Sequence, residues 1–195
     1  MSKAVMLSIR PKWCEKICSG EKTIEVRKTR PKLETPFKVY IYCTLPKYPH
    51  EDFIATDYPK PQFYGGGKVI GEFTCDRIDW ITHIGYTGIP NLVETRICDA
   101  ATMRTSPTGG LLNAACLTPK MLNDYLAGGD GYGWHISDLR IYDQSQKLTE
   151  FRRPCPNDLY CEACAMYSNN NGICNNGALP LRRPPQSWCY VDGGG

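Results

Sequence analysis

Lys22, Glu25 and Arg27 bring an ammonium, a carboxylate and a guanidinium close together in the array Gly20-x-Lys22-x-x-Glu25-x-Arg27. Apolar Ile24 and Val26 stand between them, and opposite charges crowded beside apolar residues shift one another's protonation equilibria. An amine beside a carboxylate can bind a polar base edge, polarise a carbonyl or relay a proton. The same residues also make an ordinary ion pair, Glu25 with Arg27 or with Lys22, at a barrel rim. A second constellation is Cys155-x5-Cys161-x2-Cys164-x9-Cys174. Four cysteines with one Cys-x2-Cys pair match a compact tetrahedral thiolate site. Structural zinc is the expectation, with an iron–sulfur cluster or free thiols as alternatives. Four thiolates on Zn²⁺ leave a charge of about −2, and Arg152-Arg153 and Arg182-Arg183 flank the segment. Protein ligands at all four positions leave no open position for metal catalysis. The metal's role is to order a segment too poor in apolar residues to order itself.

The elements that must position the first array form a strand–helix–turn–strand run. A strand is predicted over Ala4–Ile9 and a helix over Pro11–Ser19, which begins with Pro and stops at Gly20. A second strand follows over Thr23–Lys28. On that strand Glu25 and Arg27 share a face with Thr23, about 6–7 Å apart. Lys22 joins them only if it sits in the turn, ahead of the strand, pointing back over the helix end near Lys12 and Trp13. Further strands are predicted over Lys38–Thr44, Lys68–Trp80, Tyr132–Tyr142 and Ser187–Val191, and a further helix over Leu117–Leu126. Leu45–Gly67, with four prolines and a Gly65-Gly66-Gly67 run, reads as a loop, and Thr82–Ala115 as irregular with short helical turns. The order favours an α+β, mainly β fold, a small curved sheet closing towards a barrel.

At 195 residues the chain suits one domain with a small appendage: a barrel over 1–151, a cysteine-rich module over 152–186, and a closing strand and tail over 187–195. No apolar run approaches the roughly 20 residues that span a bilayer. The N-terminus alternates like a strand instead of carrying the continuous apolar centre of a signal peptide. A cytoplasmic protein is expected, and eleven cysteines, an odd number, argue for thiols or metal ligands over disulfides. Residues 1–47 hold 11 Lys/Arg against 4 Asp/Glu, while residues 48–195 hold 12 against 16. That basic third would attract phosphate backbones or is simply a solvated face.

The Gly20-to-Arg27 array, preceded by its helix and by the strand around Ser8–Ile9–Arg10, resembles the core motif of the ASCH domain family, in the PUA-like superfamily. The strands at Lys68–Asp76 and Gly133–Asp143 are similar to later barrel strands of that family. The resemblance covers about residues 3–151 and the closing strand near Trp188–Val191. It implies a PUA-like small β-barrel with accessory helices and a cleft for RNA or a nucleoside. It also implies two activities seen among family members, acetylcytidine amidohydrolysis and a reported ribonuclease. In the amidohydrolases the catalytic lysine falls on Lys22, but a threonine falls where this chain has Glu25. That departure removes a nucleophilic hydroxyl, so amidohydrolysis would need Glu25 to activate water.

The leading expectation is an RNA- or modified-nucleoside-binding protein whose cleft is lined by Lys22, Glu25 and Arg27, with Arg10, Lys12 and Trp13 at its edge. Trp134 and His135, at a strand start, are candidates for the lining. Trp13 stacks on a base or packs in the core, and Trp134-His135 has the same structural alternative. Tyr40 and Tyr42 offer a stacking platform or fill the interior. Cys14 and Cys18 read as small apolar fillers. The rival readings are a hydrolase with Lys22 and Glu25 handling protons, and an adaptor that contacts a protein partner through the cysteine-rich module.

Overall fold

The computed structural model describes residues 3–55, 63–85, 93–99, 102–155 and 179–193. Its first strand, β1 (Lys3–Ile9), is buried at six of seven positions because apolar cores lie on both of its faces. Val5, Leu7 and Ile9 enter one cluster, and Ala4 and Met6 another. The chain continues through α1 (Pro11–Cys18), β2 (Ile24–Arg27), β3 (Phe37–Cys43), β4 (Ile54–Ala55), β5 (Phe63–Tyr64), β6 (Lys68–Cys75) and β7 (Ile78–Gly85). It then forms β8 (Val93–Cys98), β9 (Thr105–Pro107), α2 (Gly109–Ala114), α3 (Pro119–Leu126), β10 (Gly131–His135), β11 (Ser137–Gln146) and β12 (Trp188–Asp192).

Two five-stranded sheets result, ordered β11-β6-β3-β1-β12 and β2-β10-β7-β8-β9, with β4 and β5 as a separate pair. Only the β1–β3 ladder is parallel among the described pairings. The strands expected over Lys68–Trp80 and Tyr132–Tyr142 are each two strands. The breaks at Asp76-Arg77 and at Ile136 hand the chain from one sheet to the other. The expected closed barrel is therefore corrected. Among the described residues each sheet keeps its own ladder and two edges, whereas closure requires every edge to pair. Thr82–Ala115 is also more regular than expected. β7 runs on to Gly85, β8 and β9 extend its sheet, and α2 follows. Polar residues in VETRIC hid a strand with one wet face.

α2 and α3 cover the outer face of the second sheet, burying Leu111, Leu112, Leu122 and Leu126 against Ile24, Val26 and Ile81. Gly133 permits this approach, since a Cβ there would lie 2.9 Å from Leu111 Cδ1. α3 starts on Thr118, whose hydroxyl accepts from Met121 N at 3.2 Å, and on Pro119 at its first turn. The cysteine-rich excursion leaves and returns at a paired base. Arg153 N donates to Leu179 O at 2.7 Å and Leu181 N to Phe151 O at 2.8 Å. Cys155 is half-buried, while Cys161, Cys164 and Cys174 lie outside the described residues. Among those residues, no helix is long and apolar enough to cross a membrane.

Candidate functional site

The turn after α1 sets the site. Ser19 N donates to Glu15 O and Gly20 N to Ile17 O, and Gly20 takes φ +79°, the left-handed region that ends helices. Lys22 N then donates to Lys16 O at 2.8 Å, folding the chain back beneath the helix before β2 begins at Ile24. Lys22 thus precedes the regular strand, and its ammonium reaches the side of β2 that carries Glu25. Strand alternation sends Ile24 and Val26 to the helices and Glu25 and Arg27 to the opposite face. All four residues of β2 are buried, because both faces are covered.

On that face the three charges meet. Lys22 Nζ lies 3.2 Å from Glu25 Oε2, and Arg27 Nη2 lies 2.8 Å from Glu25 Oε1. Their side chains are 2%, 10% and 8% exposed for Lys22, Arg27 and Glu25, so the carboxylate is held from both sides largely out of water. Lys22 Nζ also donates to Ala115 O at 2.7 Å, at the end of α2, and Arg27 Nη2 to Ser8 O at 2.7 Å, on β1. The triad therefore ties the end of α2, β1 and β2 together. Two cations and one anion leave a net positive charge, and Arg27 Nε is buried without a partner among the described residues.

The triad lines a cleft of about 760 Å³ whose walls include Trp13, Leu117, Met121, Tyr125 and the segment Pro184–Ser187. Ser8 pins that last wall, its hydroxyl donating to Pro185 O at 2.7 Å and its amide to Ser187 O at 2.9 Å. Trp13 carries the Lys12 ammonium 4.5 Å and the Lys22 ammonium 5.1 Å from its ring centre, cation–π distances. Burial pushes the Tyr125 phenol up, with Arg27 opposing that rise and Glu25 adding to it. On α1, burial and the neighbouring Cys43 raise the Cys14 thiol well above its ordinary value, and burial drives Cys18 to about 12. These thiols stay protonated near neutral pH, as fillers do.

Arg10, Trp13, Lys22, Glu25 and Arg27 line the cleft together. Lys12 is exposed on its outer side over Trp13. Two expected lining residues lie elsewhere. Trp134 is 0% exposed and packs in the core against Phe37 and Trp188. It pairs with Glu25 across the ladder, in the part of the face that the first sheet covers. His135 faces Asp79, its Nε2 2.8 Å from Oδ2, and Arg77 Nε lies 3.3 Å from Asp79 Oδ1. Tyr40 and Tyr42 point into the second core cluster, not the cleft. Sequence reasoning missed Ser8, Tyr125 and the Pro184–Ser187 wall. A serine among Val5, Leu7 and Ile9 was the one available signal for Ser8. No local pattern announces a wall that long-range folding brings in.

No family model matches the chain, and no curated protein sequence matches it. Solved structures do. The ASCH protein from Zymomonas mobilis superposes with a TM-score of 0.50 at 16% identity, over 97% of this chain and 87% of that one. Its tyrosine-to-phenylalanine variant gives 0.51 at 17% identity, over 98% and 91%. Its serine-to-alanine variant gives 0.51 at 17%, over 97% and 88%. At this level of identity the likeness concerns architecture, and this chain shares the mainly β fold of the ASCH structures.

Proposed function

We propose that the chain binds RNA or a modified nucleoside, with a base seated over Lys22, Glu25 and Arg27. The observation that carries this reading is the buried, net-cationic triad on the floor of an open cleft. Its unused N–H groups suit the carbonyl-rich edge of a base, and the base stacks on Trp13 where the exposed Lys12 ammonium now lies. Binding is preferred to hydrolysis for two reasons. Both Glu25 oxygens already accept from cations. The Ser8 hydroxyl in the cleft donates to Pro185 O, not to a carboxylate, and Thr23, next to the motif, is exposed.

Fluorescence anisotropy with labelled single-stranded RNA tests the reading. Wild type binds with a salt-dependent affinity, and Lys22→Ala weakens it about tenfold while chromatography of acetylcytidine and RNA shows no product. Turnover of either ligand by wild type transfers the site to the hydrolase reading. Absence of binding at low salt, in protein with a normal unfolding transition, removes the cleft reading altogether. The zinc staple through Cys155, Cys161, Cys164 and Cys174 is proposed on their spacing.

A further inference from the structure

A second cavity of about 860 Å³ adjoins the cleft, and the two share Arg10 and Thr44 in their linings. The parallel β1–β3 ladder makes that junction. Ile9 pairs with Cys43, and Thr44 N donates to Ile9 O at 2.8 Å, so Arg10 and Thr44 emerge side by side. Arg10 is exposed and makes no side-chain hydrogen bond or ion pair among the described residues. The second cavity adds Lys12, Lys47 and His50, against the carboxylates of Glu15 and Asp52. Three permanent cations and a histidine thus outnumber two acids. At its rim Tyr48, 48% exposed, stacks on His50 with ring centres 5.7 Å apart and planes 8° apart. Lys47 Nζ lies 5.2 Å from the same tyrosine ring.

A half-exposed tyrosine ring beside cations that have no carboxylate partner among the described residues, continuous with the cleft, is the layout that single-strand sites use. We propose that this groove holds the phosphate and stacked base of the nucleotide adjoining the one in the cleft, so that the ligand is single-stranded RNA and not a free nucleoside. This rests on the cleft reading above. Arg10 takes the phosphate at the junction, Lys47 the next position along the strand, and Tyr48 the flanking base.

The test compares a labelled short oligouridylate with free uridine on the full chain. Lys47→Ala is expected to weaken the oligomer about three- to tenfold and to flatten its log-affinity against log-salt slope by about 0.7, the share of one phosphate contact on a single strand. Uridine binding is expected to be unchanged. Tyr48→Ala is expected to weaken the oligomer by a similar factor without altering the slope. If Lys47→Ala leaves oligomer affinity and slope at wild-type values while Lys22→Ala weakens both ligands, the groove is overturned and the cleft stands. An oligomer that binds no better than uridine also overturns it. If wild type binds neither ligand, the cleft reading fails first.

Discussion

Replacing Glu25 by glutamine keeps shape and removes the charge that two buried cations share. Each contact, 3.2 Å to Lys22 and 2.8 Å to Arg27, carries a gross attraction of about 5–6 kcal/mol at an effective dielectric of about 20. Most of that offsets the cost of taking three charges out of water. The variant loses both attractions while the cations remain buried and now repel. Removing one member of a buried pair costs about 3–5 kcal/mol. Lys22→Met provides the contrast. Glu25 keeps Arg27, and the main loss is the partner of Ala115 O, a cost of about 1–3 kcal/mol. Urea unfolding reads the difference. With an m-value of about 3 kcal/mol per molar, Glu25→Gln lowers the midpoint by about 1–1.7 M, and Lys22→Met lowers it by less. A Glu25→Gln midpoint at the wild-type value, or a larger loss for Lys22→Met, would refute the idea that the carboxylate is the keystone of a desolvated triad.

Two further outcomes are expected. Burial raises the Asp79 carboxyl, but the His135 hydrogen bond and charge, with Arg77, outweigh it and hold the group below its usual 3.8. A carboxyl lowered in the folded state stabilises above its unfolded value and loses that contribution as pH falls through the lower folded one. Asp79→Asn is therefore less stable than wild type at neutral pH by less than about 1 kcal/mol, since Arg77 is largely exposed. The gap closes on acidification below 3.8, and a gap unchanged in thermal scans from neutral to acid would contradict this. Elemental analysis of the purified chain is expected to find about one equivalent of zinc, lost on changing Cys161 and Cys164 together to serine. Less than about half an equivalent in wild type would leave those cysteines as free thiols.

Much of the local structure was legible because it depends on near neighbours. Pro11 and Gly20 bracket α1, Thr118-Pro119 and Gly128-Gly129 bracket α3, and the apolar alternation of residues 4–9 marks β1. The shared face of Glu25 and Arg27 was legible for the same reason, while the side taken by Lys22 hung on the turn that precedes the strand. A turn followed by a period of two leaves few places for those side chains. The divided strands were not legible. Asp76-Arg77 and Ile136 lie inside sequences that read as continuous β, and only the competing pull of two sheets breaks them there.

The amino-acid order alone determined a mainly β chain with a charged array held at a helix–strand turn, because propensity, capping and alternation act over a few residues. Tertiary structure decided what that array faces. Ala115, Ser8 and the Pro184–Ser187 wall come from positions 93, 19 and as many as 179 residues away in the contacts they make. It also sent Trp134 to the core and His135 to Asp79. Which side of a strand meets water depends on what packs against it, and that partner is chosen by burial across the whole molecule, not by local order.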